Sequence, residues 1–199
     1  MVIGITGGVG SGKSEVIRYI AKNYNATVLL ADDIAKKLMS VGQAGNTALK
    51  ELLPGECFLE DGNIDRKAMA AVFFKDKGMQ QRVNSVIFPL VKEYIKESIK
   101  TATAPLIIIE AALLIEEHYE EICDKLIYVY AERQVRVKRL QESRGYSIER
   151  IDAMMASQLS EEEFRENTDI TIDNSGGLED TIKIIDKELS GLGVKRWEQ

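Results

Sequence analysis

Apolar runs and helical stripes alternate along the chain. Residues 2–6 are apolar until they reach glycines, the pattern of a strand buried on both faces. After Lys13 the apolar residues Val16, Ile17, Ile20 and Tyr24 recur at helical spacing, which predicts a helix over 13–23. Residues 27–31 read as a second buried strand, and Asp32-Asp33 as a capping-type entrance to a helix carried by Ile34, Ala35 and Leu38. Residues 106–109, just after Pro105, form a third strand that stops at Glu110. Residues 126–130 give a fourth strand and 170–172 a short fifth. A closing helix from about Leu178 aligns Leu178, Ile182, Ile185 and Leu189 along one side.

The middle of the chain is different. G-Q-A-G-N at 42–46, P-G-E at 54–56 and E-D-G-N at 60–63 punctuate short helical patterns, and no long strand appears between Gly42 and Thr103. This stretch reads as a mainly helical insertion. Apolar strands alternating with helices elsewhere predict the α/β class, with a five-stranded parallel sheet covered by helices on both faces. The expected core comprises residues 1–40, 103–132 and 168–199, with the insertion at 41–102.

Composition narrows the function classes. With 45% hydrophobic and 29% charged residues the chain is an ordinary globular one. Its formal charge of −6 argues against a general nucleic-acid binder, while leaving room for a local basic patch around one anion. Two widely separated cysteines, Cys57 and Cys123, and a single histidine, His118, support neither a disulfide framework nor a zinc site. No signal-peptide pattern and no membrane-length apolar run is present, so a cytoplasmic protein without a membrane partner is expected.

The chemistry lies where the first strand gives way to the first helix. Gly7-Gly8-Val9-Gly10-Ser11-Gly12-Lys13-Ser14 fits G-x-x-x-x-G-K-[ST] at every position. Glycines let backbone N–H groups converge on phosphates without an intervening Cβ, and the helix N-terminus adds partial positive charge. Lys13 has the reach for β- and γ-phosphates, and the Ser14 hydroxyl suits Mg²⁺. A plain turn needs one or two glycines, not four with Lys-Ser in register. The segment from Gly8 through Gly10, Ser11, Gly12, Lys13 and Ser14 to Glu15 is therefore the expected ATP contact. A GTP switch would also need an N-K-x-D element, which is absent, and the length suits a small phosphotransferase.

Ligands of open parallel sheets bind at the carboxyl ends of the strands, which draws attention to two acids. Asp32, after the second strand, suits a general base or an organiser of Mg²⁺, and equally a helix N-cap. Glu110 is either a metal-side carboxylate or an ordinary strand-end charge. Arg133, Arg136, Arg139 and Arg144 follow the fourth strand. They belong either to a lid over residues 133–167 that neutralises phosphate and excludes water, or to a solvated helix.

Taken in order, these segments resemble the dephospho-CoA kinase family. The resemblance rests on I-G-I-T-G-G-V-G-S-G-K-S, L-A-D-D-I-A, E-D-G-N-I-D-R-K-A-M-A-A-V-F, N-S-V-I-F-P-L, E-A-A-L-L-I-E, C-D-K-L-I-Y-V, and A-S-Q-L followed by D-I-T-I-D-N-S-G. It implies a three-layer P-loop NTPase with a helical CoA-binding insertion and a lid. It also implies transfer of the ATP γ-phosphate, with Mg²⁺, to the 3′-hydroxyl of the ribose of dephospho-CoA. Asp32 becomes the implied base, Lys13, Arg139 and Arg144 the implied catalytic cations, and Asn174 a wall of the adenine site. Asp32, Arg66, Phe88 and Leu113 fall in the implied acceptor site, and Ser14, with Asp32 or Glu110 through water, in the metal site. A monomer is expected.

The chain departs from the family pattern at Leu30, Phe88, Ala112 and Met154, where the family has Asp, His, Pro and Arg, and at the order Ser143-Arg144. Arg136, where the family often has Gln, and Arg144 are the cations placed to compensate. A kinase of another small acceptor, such as a nucleoside monophosphate, and a nucleotide-binding module without turnover are the competing readings.

Overall fold

The computed structural model describes residues 1–197. The chain divides into two compact units, one of Met1–Leu29 together with the chain from Ala102 onward, the other of Leu30–Thr101.

The first unit is built on a parallel sheet. Strands β1 (Val2–Thr6), β2 (Ala26–Leu30), β3 (Leu106–Glu110), β4 (Lys125–Tyr130) and β5 (Ile170–Asp173) lie in the order β2-β3-β1-β4-β5. β1 is central, with Ile5 opposite Glu110 on β3 and opposite Ile127 on β4. The chain leaves β1 for one edge, returns to β3, then crosses β1 to reach β4. That reversal beside β1 makes its carboxyl end the natural ligand crevice of the sheet.

Helices α1 (Lys13–Asn23), α6 (Arg133–Arg144), α7 (Ile148–Ala156), α8 (Glu161–Glu166) and α9 (Leu178–Gly191) complete this unit. Ile3, Ile5, Ile108 and Ile127 of the sheet pack with Val16, Ile17 and Ile20 of α1 and with Ile185 and Leu189 of α9. The buried stripe of α9 is Thr181, Ile185 and Leu189, while Leu178 is exposed. The expected stripe thus shifts: Leu178 is the first residue of the helix, and Thr181 is buried, the cost offset by its hydroxyl donating to Asn174 Oδ1 at 2.9 Å. A second correction concerns β2, which starts and ends one residue earlier than expected and is half-buried throughout. It is an edge strand, covered by a neighbour on one side only.

The far end of α1 is clasped by the C-terminal segment. Asp186 Oδ1 accepts from the Tyr19 and Tyr24 hydroxyls at 2.8 and 2.6 Å, and Arg196 donates to Tyr19 Oη at 2.9 Å. The Trp197 N–H donates to Asn23 O at 2.8 Å. Burial first, and then the bond to Asp186, push the Tyr24 hydroxyl well above the ordinary tyrosine range.

The second unit, Leu30–Thr101, is helical and takes in α2, which precedes the stretch expected to form the insertion. Helices α2 (Ala31–Leu38), α3 (Ala44–Leu52) and α4 (Arg66–Lys75) pack on α5 (Lys77–Thr101), which buries Val83, Ile87, Val91 and Ile95 at four-residue intervals. Gly45 permits the close approach of α3 to α2, since a Cβ there would lie 2.7 Å from Leu38 O. The loop between α3 and α4 is held by Asn46, whose side-chain amide donates to Met39 O and Gly62 O at 3.2 and 3.1 Å.

The starts of β4 and β5 are joined by Asp169, which accepts from Lys125 Nζ at 2.6 Å and Leu126 N–H at 2.8 Å. Desolvation raises the pKa of this carboxyl, but the two hydrogen bonds outweigh it and hold the group below the usual aspartate range. A depressed folded-state pKa gives stability that is present above about pH 3.9, the unfolded value, and is lost as pH falls through the lower folded value. Thermal melting from pH 5 downward should therefore fall more steeply for the natural chain than for Asp169→Asn. Parallel curves would show that the carboxylate contributes nothing to the acid limb.

Candidate active site

The glycine loop joins β1 to α1. Gly12 is the N-cap of α1 with φ +90°, a left-handed conformation that strains any residue with a Cβ. No side chain caps the helix here, so the orphan N–H groups of its first turn and the positive end of its dipole are offered to the loop. Ser14 is exposed in that turn. Glu15 directs its carboxylate to Arg18 at 2.6 Å, so only its backbone belongs to the loop region.

The loop carbonyls are held by side chains. Lys13 Nζ donates to Gly7 O at 2.7 Å and Gly8 O at 3.5 Å, folding back over the loop. Arg136 Nε donates to Val9 O at 2.8 Å. Ser11 O accepts from Arg139 at 3.2 Å and from Asn174 Nδ2 at 2.8 Å, and Arg139 donates again to Asn174 O at 2.8 Å. Asn174 is in turn oriented by the buried Thr181 hydroxyl. The Val9 N–H donates to Gln158 Oε1 at 2.9 Å. Among the described residues the buried hydroxyls of Thr6 and Ser11 have no hydrogen-bond partner.

The other expected site residues are spread more widely. Glu110 ends β3, and Leu113 follows in the turns after it, partly exposed. Arg144 closes α6 and is exposed, 5.9 Å from the Tyr146 ring centre, while Arg139 of the same helix reaches the loop.

Asp32, Arg66 and Phe88 belong to the helical unit. Asp32 lies in the first turn of α2, exposed, with no hydrogen bond or ion pair among the described residues. It is not a cap: that position belongs to Leu30, which makes no side-chain cap bond, and Asp33 pairs with Lys36 at 2.7 Å. Arg66 opens α4 behind Asp65, which caps the helix by accepting from Lys67 N–H and Ala68 N–H. It borders a cavity of about 100 Å³ shared with Lys36, Met39, Ser40, Asn63, Ile64 and Met69. Phe88 is half-buried in α5, directly before Pro89.

The family model of dephospho-CoA kinase matches residues 1–180. The chain belongs to the dephospho-CoA kinase family. It is a kinase with the P-loop fold. A dephospho-CoA kinase of Fusobacterium nucleatum is 33% identical over 94% of this chain and 96% of its own. A Thermus thermophilus protein of known crystal structure is 31% identical, covers 96% of this chain and 97% of its own, and superposes with a TM-score of 0.81. The structure of dephospho-CoA kinase from Campylobacter jejuni shares the fold, at 22% identity, 96% coverage of both chains and a TM-score of 0.71.

Within this family fold, the residues gathered at one place are the loop, Lys13, Arg139 and Asn174. Arg136, three residues before Arg139 on α6 and so on the same face, joins them. Sequence reasoning missed Gln158 and Thr181. The signal for Gln158 was the A-S-Q-L segment, but its use as an acceptor for a loop N–H is visible only in three dimensions.

A Cβ on Gly12 would lie 2.2 Å from Asn174 Nδ2. Gly12→Ala should therefore lower folding stability by about 1–3 kcal/mol through strain and overpacking, and weaken ADP binding as well. Urea unfolding combined with ADP titration checks this, and an unchanged midpoint with unchanged affinity would contradict it.

Proposed function

We propose that the protein transfers the γ-phosphate of ATP to the 3′-hydroxyl of the ribose of dephospho-CoA, giving CoA and ADP. The observation that carries this reading is the glycine loop itself, complete in sequence and braced at its carbonyls by Lys13, Arg136, Arg139 and Asn174. Family membership over nearly the whole chain supplies the acceptor.

In this reading the loop from Gly8 to Glu15 binds the triphosphate, and Lys13 exchanges its loop carbonyls for phosphate oxygens when ATP enters. Asn174 and its neighbours wall the adenine site. Mg²⁺ suits the exposed Ser14 hydroxyl, because that ion takes few protein ligands in such sites and keeps phosphate and water oxygens around it. Bound there, it neutralises phosphate charge; Asp32 or Glu110 would contact its water shell.

Asp32 takes up the proton of the attacking hydroxyl. Its exposure and lack of a partner among the described residues leave the carboxylate available to accept one. Arg66, beside the cavity of the helical unit, receives part of the acceptor, with Phe88 and Leu113 as further acceptor contacts. Residues 133–167 act as the lid, with Arg139 and Arg144 as its cations. Little covalent chemistry falls to the protein in such a transfer; positioning, charge neutralisation and exclusion of water do the work.

Purified protein offered Mg-ATP with dephospho-CoA, AMP, CMP or no acceptor should release ADP well above the acceptor-free rate with dephospho-CoA alone. Equal release with and without dephospho-CoA would overturn the reading, and preference for AMP or CMP would transfer it to a nucleotide kinase. Asp32→Asn should keep ATP affinity while turnover falls on the order of 10²-fold or more, the usual worth of a general base. Normal turnover in that variant would remove Asp32 from the chemistry.

A further inference from the structure

Val9 stands at the tip of the glycine loop, and both its backbone polar groups are taken by side chains from beyond β4. Its N–H donates to Gln158 Oε1 at 2.9 Å, and its carbonyl accepts from Arg136 Nε at 2.8 Å. Arg136 closes the triangle by donating from a terminal nitrogen to the same Gln158 Oε1 at 3.3 Å. The guanidinium lies against Gly8 so closely that a Cβ there would come within 2.4 Å of it. A peptide unit gripped at both donor and acceptor has little freedom, so the loop is shaped before any ligand arrives.

Among the described residues, no carboxylate pairs with the charge of Arg136. Desolvation lowers its pKa. Two tyrosine rings, Tyr128 and Tyr130, are the titratable groups that face it. Holding a partly buried cation without a counter-ion is costly. The neighbouring loop is built to take an anion.

We propose that Arg136 and Gln158 are positioning residues for the nucleotide phosphates: together they fix Val9, and the charge of Arg136 is balanced by the polyphosphate once it binds. This rests on the reading of the loop as a triphosphate site and deepens it. The two residues have distinct parts. Gln158 supplies an oxygen that orients both Val9 and Arg136, and Arg136 supplies the charge.

The test is equilibrium titration with Mg-ADP and Mg-ATP, without acceptor, on the natural chain, Gln158→Met, Arg136→Met and Arg136→Lys, beside thermal melting of each nucleotide-free protein. Both methionine variants should bind both nucleotides about tenfold more weakly, the scale of one charge-assisted hydrogen bond, with melting close to that of the natural chain. Arg136→Lys should recover part of the affinity, because it keeps the charge but not the forked contact. Unchanged affinity in Gln158→Met or Arg136→Met overturns the proposal, as does a lysine variant no better than methionine. If Arg136→Met does not fold, Gln158→Met and Arg136→Lys decide on the same criteria. A natural chain that binds no nucleotide sinks the functional reading itself, whereas tight binding that survives every substitution sinks only this pair.

Discussion

Four carbonyl oxygens of the glycine loop, those of Gly7, Gly8, Val9 and Ser11, accept hydrogen bonds from side chains that the fold of the first unit brings together. A loop that gives its N–H groups to an anion cannot also satisfy its carbonyls through ordinary secondary structure. Lys13 comes from α1, Arg136 and Arg139 from α6, and Asn174 from the residue after β5. The order of the strands explains why these donors converge, because β1 lies beside β4, and β4 beside β5. Thr181 extends the chain of support into α9 through Asn174.

The same arrangement reconciles an acidic protein with an anionic ligand. A net charge of −6 describes the far field, while the loop meets three cationic side chains at hydrogen-bond distance. Local geometry, not the overall balance of charge, sets the potential at the loop. Some of the acids sit in exposed i,i+3 and i,i+4 pairs, such as Glu15 with Arg18, Asp33 with Lys36 and Glu161 with Arg165, which contribute little to stability.

The fold was legible in the sequence wherever burial was two-sided. β1, β3 and β4 are continuous apolar runs and appear within a residue of their expected bounds. β2 was misjudged because an edge strand carries the same residue types as a central one, and composition does not record which side has a neighbour. Asp32 shows the converse difficulty. Asp near a helix start suggests a cap, yet Leu30 takes that position and Asp32 sits inside the first turn, one step too late to cap. The brace around Val9 was out of reach, because a glutamine 149 positions away carries no periodic signal.

The clasp at the far end of α1 gives the molecule a built-in optical reporter. Trp197 is the chain's single tryptophan, half exposed, and its backbone is tied to Asn23. Two tyrosines, Tyr19 and Tyr24, lie in the same clasp, edge to face with ring centres 6.4 Å apart. Emission excited at the red edge, where tyrosine does not absorb, therefore comes from one known place. It reads the fastening of the C-terminal segment to the helix that begins at the phosphate loop, at the end of that helix away from the loop.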